Sequence, residues 1–150
     1  MSSVQDFEKC PQCGGVYVSD FDCGSLEEYR YCNRCGKREA FTGVWDEQGR
    51  AILDKDGKLQ FNHSESIGYG CFAIASKRGV KAIYNLTVPV NEEIQNDYLK
   101  AIEDPEVDSS KCYLTSWDPK KQEIVAVFGI LPPSYDERIR DEEGEEAEEA

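Results

Sequence analysis

Apolar positions along this chain come in short runs, broken repeatedly by turn-forming Gly, Asp and Asn. Val16–Val18 and Tyr29–Cys32 are rich in the aromatic and β-branched residues that suit strands, and the SDFDCGS stretch between them has turn composition. Ala40–Trp45, Arg50–Leu53 and Lys58–Phe61 read as three further short strands. They are separated by DEQG and DKDG, turns that Asp opens and Gly closes. The DKDG turn lacks the third acidic position and the distal glutamate of a calcium loop, so a hairpin turn is expected there. Cys71–Ser76 and Val80–Val88 flank Lys77-Arg78-Gly79 as a hairpin. Lys111–Trp117 and Glu123–Leu131 flank DPKKQ as another. In the last of these strands Ile124, Ala126, Phe128 and Ile130 alternate with Val125, Val127 and Gly129. Both faces are thus apolar, which predicts a central place in its sheet.

One segment changes period. In VNEEIQNDYLKAIEDPE, Asn91 is a candidate N-cap and Glu92 and Glu93 suit a first helical turn. Ile94, Tyr98, Leu99 and Ile102 fall on one stripe, and Pro105 stops the run. The pattern therefore predicts a β-rich α+β fold in which one helix covers an antiparallel sheet of hairpins.

Cysteine spacing adds chemistry to that pattern. Cys10-x2-Cys13, eighteen residues, then Cys32-x2-Cys35 fits the spacing of a four-thiolate zinc site. Two intervening residues let one tight turn aim both sulfurs at one ion, and a hairpin in the long gap brings the second turn opposite. Gly14 and Gly36 follow the pairs and can take the positive φ such turns require. Through CPQCGG and CNRCGK, residues 8–40 resemble a zinc ribbon of the CPxCG knuckle type. That resemblance implies a bound zinc ion on Cys10, Cys13, Cys32 and Cys35 and a ribbon fold. Four thiolates close a coordination sphere, so the metal is expected to hold structure rather than to do chemistry. Cys23 sits alone at the hairpin tip, while Cys71 and Cys112 lie in strand-like runs where cysteine behaves as a small apolar residue.

The expected division is a zinc ribbon over 1–43, a β-rich α+β domain over 44–133 and a disordered acidic tail over 134–150. Residues 136–150 hold nine acidic and two basic side chains of a chain whose net charge is −13. That charge opposes binding to phosphate backbones and anionic membranes. The N-terminus lacks a secretory pattern, and a cytoplasmic, reducing compartment is expected, in which structural disulfides are rare. Gly68 and Gly70 of SIGYGCF suggest a phosphate cradle, but a strand rather than a helix follows them. The single histidine, His63, falls in a polar stretch read as loop, and no catalytic constellation is marked, so no enzyme is expected.

The leading expectation is a small zinc protein that acts by binding another protein. A basic partner, met by the acidic tail, suits the charge, and an acidic inhibitor or nucleic-acid mimic is one version. The alternative is a transcription- or RNA-associated ribbon contacting nucleic acid through Arg30, Arg34, Lys37 and Arg38, with Tyr29 and Tyr31 interleaved.

Overall fold

A computed structural model describes residues 3–140. Two antiparallel sheets account for most of them. The first is a five-stranded meander in chain order: β1 (Ser3–Lys9), β2 (Val16–Asp22), β3 (Glu27–Cys32), β4 (Arg38–Gly43) and β5 (Phe61–Ser66). The second contains β6 (Cys71–Ala75), β7 (Lys81–Asn85), β8 (Tyr113–Asp118) and β9 (Glu123–Gly129) in the spatial order β7-β6-β8-β9. Helix α1 (Glu92–Ala101) and a 3-10 turn (Ser109–Lys111) lie between β7 and β8. The fold is β-rich α+β.

Local chemistry explains α1. The Asn91 side chain accepts a hydrogen bond from the Ile94 amide at 2.9 Å, satisfying one of the amides that a helix start leaves unpaired. Tyr98 is buried on the inner face. It stacks on Phe128 and meets Phe72 edge to face, over a core that includes Ala75, Cys112 and Leu114. The helix thus covers one face of the second sheet. The opposite face buries Cys71, Ala73 and Tyr113.

Several strands differ from the sequence expectation. Val16–Val18 extends through Asp22, and the turn narrows to residues 23–26. Residues 44–60 form a small meander held by bridges between Trp45 and Ala51 and between Leu53 and Leu59, rather than by full strands. Asp46 and Asp54 open its turns as expected, accepting from the amides of Gln48 and Arg50 and of Asp56 and Lys58. The stretch containing His63, read as loop, is β5; its pairing with β4 overrides a polar sequence. Strand β9 is an edge strand, not a central one. Its apolar faces are used unequally: Phe128 and Val127 pack on the helix-side core while Val125 stays half exposed.

The two sheets are not separate bodies. The boundary expected between residues 43 and 44 runs through the first sheet, since β5 completes it. Trp117 and Ile124 of the second sheet pack on Cys10, Tyr17, Cys32 and Cys35 of the first. Gly68 and Gly70 explain how close the chains come. A Cβ on Gly68 would lie 2.0 Å from the Gly36 carbonyl carbon, and one on Gly70 would lie 2.0 Å from the Thr115 oxygen. These glycines serve backbone approach, not a phosphate.

Of the segment expected to be tail, residues 134–140 are described and touch the first sheet. Ser134 bridges Gly15, the Tyr135 amide donates to the Gly14 carbonyl, and Lys9 pairs with Asp136 at 3.0 Å. The Arg138 guanidinium lies over the Phe7 ring. The disorder expected over residues 134–150 is thus met by ordered contacts over 134–140, and its remainder, residues 141–150, lies outside the described residues.

Candidate metal centre

Each Cys-x-x-Cys pair sits in the same kind of turn. The Cys10 amide donates to the Gly15 carbonyl and the Gly14 amide returns to the Cys10 carbonyl; Cys32, Lys37 and Gly36 repeat the arrangement. Gly14 and Gly36 stand at φ +77° and +83°, conformations that side-chain-bearing residues adopt at a cost. Hairpin pairing of β2 with β3 then sets one turn against the other.

The four sulfurs converge. Cys10 and Cys35 are 3.7 Å apart and Cys13 and Cys32 are 3.5 Å apart; all four lie within 4.8 Å of one another. A disulfide needs about 2.05 Å. Sulfurs at Zn–S distances of about 2.3 Å around a tetrahedron stand about 3.8 Å apart, close to the separations found. Amide donors surround them: Gly15 points at the Cys13 sulfur, and Arg34 and Cys35 point at that of Cys32. Such donors favour thiolates.

Burial works against four separate charges. Cys10, Cys32 and Cys35 are buried, and their shared sulfur contacts split the proton affinities. Hydrogen bonding from Cys13, then Cys32 and Cys35, holds the Cys10 thiol well below its ordinary range. Hydrogen bonding to Cys10 first, aided by burial, pushes Cys13 and Cys35 up. A divalent cation resolves that conflict, and the donor set fits one. The cluster can hold a metal ion.

What the sequence did not reveal is the grip of the second sheet on this turn. Every carbonyl from Cys32 to Cys35 receives a donor from it. Asn85 Nδ2 and the Cys71 thiol reach the Cys32 oxygen at 3.0 and 3.3 Å, and the Tyr113 hydroxyl reaches Asn33 at 3.0 Å. Thr115 Oγ1 reaches Arg34 at 2.6 Å, and the Gly70 amide reaches Cys35 at 2.8 Å. Thr115 is fully buried and also accepts from the Cys71 amide. Burial, with the charge of Cys32 nearby, pushes the Cys71 thiol up, so it serves as a neutral donor. Cys23 is exposed and stands apart from the cluster.

The four cations of the nucleic-acid alternative do not form one patch. Arg30 is paired with Glu28 and Glu8 and lies over Phe41, and Lys37 is paired with Glu65. Arg34 packs over Gly15, its Nε buried without a partner. Arg38 alone is exposed and free of ion pairs among the described residues. By register it shares the other face of the sheet with Tyr31 and Tyr29, beside a cleft of about 400 Å³ that Ser64, Ser66 and Asn85 also line.

Comparison with family models, with curated proteins and with solved structures finds no match for this chain. The class its own geometry defines is a two-sheet protein with, at the junction, a four-cysteine cluster able to hold a metal ion. No helix among the described residues is long and apolar enough to cross a membrane.

Proposed function

We propose that this is a zinc protein that works by binding another protein, with the zinc ion on Cys10, Cys13, Cys32 and Cys35 holding the two sheets in register. The donor set favours zinc, because four thiolates in a tetrahedron select it among divalent ions abundant in cells. A closed sphere leaves no position for substrate, which favours binding over catalysis.

The observation that carries the protein-partner reading is an exposed apolar face. Trp45, Leu53, Leu59 and Phe61 are 44%, 55%, 39% and 39% exposed. The pairings Trp45 with Ala51, Leu53 with Leu59 and Gly43 with Phe61 set all four on one face of the small meander. Contiguous apolar surface of this kind marks interaction sites. The net charge of −13 suits a basic partner, the more so because Arg30, Lys37 and Lys9 are engaged in internal ion pairs.

The test is pull-down with the wild-type chain beside Trp45→Ser/Leu53→Ser and a chain truncated after Arg140. A partner that the wild type retains and the double variant loses supports the reading. A partner held equally by both would place the contact elsewhere.

Nucleic acid is the second reading, favoured by Tyr29, Tyr31 and Arg38 on one face. Single-stranded RNA and DNA titrated at two salt concentrations test it. Binding that weakens with salt and is lost in Arg38→Ala supports it; no binding at low salt rejects it.

A further inference from the structure

By register, strands β4 and β5 place two carboxylates and the only histidine of the sequence together on the face of the first sheet opposite to that of Arg38. Glu39 and Glu65 are directly opposed across the pair, as are Phe41 and His63 one step along the same face. Like charges facing each other across two strands destabilise a sheet unless a cation joins them. The cation now present is Lys37, whose ammonium stands 3.6 Å from Glu65. Arg30 is occupied by Glu28 and Glu8. Glu39 stands opposite Arg30 across β3 and β4, but its direct contacts are to neutral or titratable groups: Tyr17 donates to its Oε2 at 2.7 Å and His63 Nε2 faces its Oε1 at 3.2 Å.

We propose that Glu39, His63 and Glu65 form a second metal site, distinct from the cysteine cluster, that takes a divalent transition cation of the zinc class. One ligand atom from each lies within 4.8 Å of the others. The 3.2 Å between His63 Nε2 and Glu39 Oε1 matches the roughly 3.3 Å that separates nitrogen and oxygen ligands around one tetrahedral zinc. The His63 ring and the Glu39 carboxylate are held in advance. His63 lies flat on Phe41, centroids 4.3 Å apart and planes within 2°, which fixes its edge toward Glu39. Tyr17, 1% exposed, ties down the carboxylate oxygen that faces away from His63, leaving Oε1 for the ion. Outer partners of this kind orient metal ligands. One imidazole and two carboxylates suit zinc, cobalt or manganese, and water completes the sphere. Lys37 swings out when the ion enters.

His63 is the only histidine in the sequence, so its ring resonances report on this site alone. Protein already holding one zinc per chain is titrated with further zinc while the His63 ring nitrogens are followed by NMR, and bound zinc is counted after dialysis against free zinc. The expected result is a second equivalent and a shift at Nε2. His63→Ala and Glu65→Gln should each return the count to one with the first equivalent retained. Tyr17→Phe should weaken the second equivalent about 10- to 100-fold while the first stays. Lys37→Met, which removes the competing ammonium, should tighten it. A count of one in the wild type, an unmoved His63 ring, or a second equivalent that survives His63→Ala overturns the proposal. The counts take the first equivalent as the one on the cysteine cluster, which cysteine variants test separately; the shift of the His63 ring and its dependence on Glu65 do not depend on that cluster.

Discussion

The two sheets are built from similar strands but are stabilised by different means. In the second, α1 and both sheet faces bury Ala73, Ala75, Cys112, Tyr113 and Leu114, a conventional apolar core. The first is a five-stranded meander whose buried side chains gather at the knuckle end, at Cys10, Val16, Tyr17, Val18, Cys32 and Cys35. Its last strand, β5, is exposed along its whole length. A sheet with so little apolar burial does not offset its own ordering entropy by packing alone. In the zinc protein proposed above, the metal substitutes for a core in one sheet and acts as a tie in the other.

Metal removal gives the largest expected effect. Structural zinc binding contributes on the order of 10 kcal/mol or more, which equals or exceeds the whole stability of an ordinary domain. Chelation should therefore melt β1 to β5. In the second sheet it should free the donors of Asn85, Tyr113, Thr115 and Gly70 while the helix-side core persists. Amide exchange checks this: protection should vanish in the first sheet, fall at Gly70 and Cys71, and survive at Leu114. Equal protection of both sheets after chelation would break the comparison.

The converse test starts in the second sheet. Tyr98→Ala removes an aromatic ring packed on Phe72 and Phe128 and should cost about 3–5 kcal/mol. Bound zinc per folded chain should stay unchanged, because Tyr98 packs beside Cys112 and not among Cys10, Cys13, Cys32 and Cys35. A loss of zinc at temperatures where the variant is still folded would mean that the helix-side core supports the metal site directly.

Thr115→Val addresses the tie itself. The change keeps shape but removes a hydroxyl that donates to Arg34 and accepts from Cys71, leaving a buried carbonyl and amide unpaired. The expected cost is about 1–3 kcal/mol. Unlike Tyr98→Ala, it should speed metal loss to a chelator, since the second knuckle is then held less firmly. Unchanged release kinetics would show that the seam hydrogen bonds do not support the knuckle.

How legible this was varies with the kind of signal. Cysteine and glycine spacing pointed to the cluster because a tetrahedral ion constrains four side chains and two φ angles, all visible as residue types. The cap of α1 and three residues of its stripe, Ile94, Tyr98 and Ile102, were legible as residue types too, whereas Leu99, expected on the same stripe, is exposed. The seam was not legible, since it is made largely by carbonyls of Cys32–Cys35, and carbonyls belong to every residue. Gly68 and Gly70 hinted at close approach but do not name what approaches. Strand β5 escaped notice because FNHSES has no apolar alternation; backbone pairing with β4 makes it a strand. The edge position of β9 was hidden because composition reports burial of side chains, not the order of strands.

The smallest expected effect separates local from shared stability. Asn91→Ala removes the side chain that accepts from the Ile94 amide. Replacing such a cap costs about 1 kcal/mol, equivalent to a drop of about 2–4 °C in Tm for a chain of this size. The loss stays small because Glu92 and Glu93 still complement the helix dipole and Tyr98 still anchors the inner face. Asn91→Ser, which keeps an acceptor, should restore most of it. Because the cap lies on the helix side, away from the knuckle, exchange in β1 to β5 should not change. Faster exchange in the first sheet would show that the helix and the metal centre are coupled through the body of the second sheet rather than only at the seam.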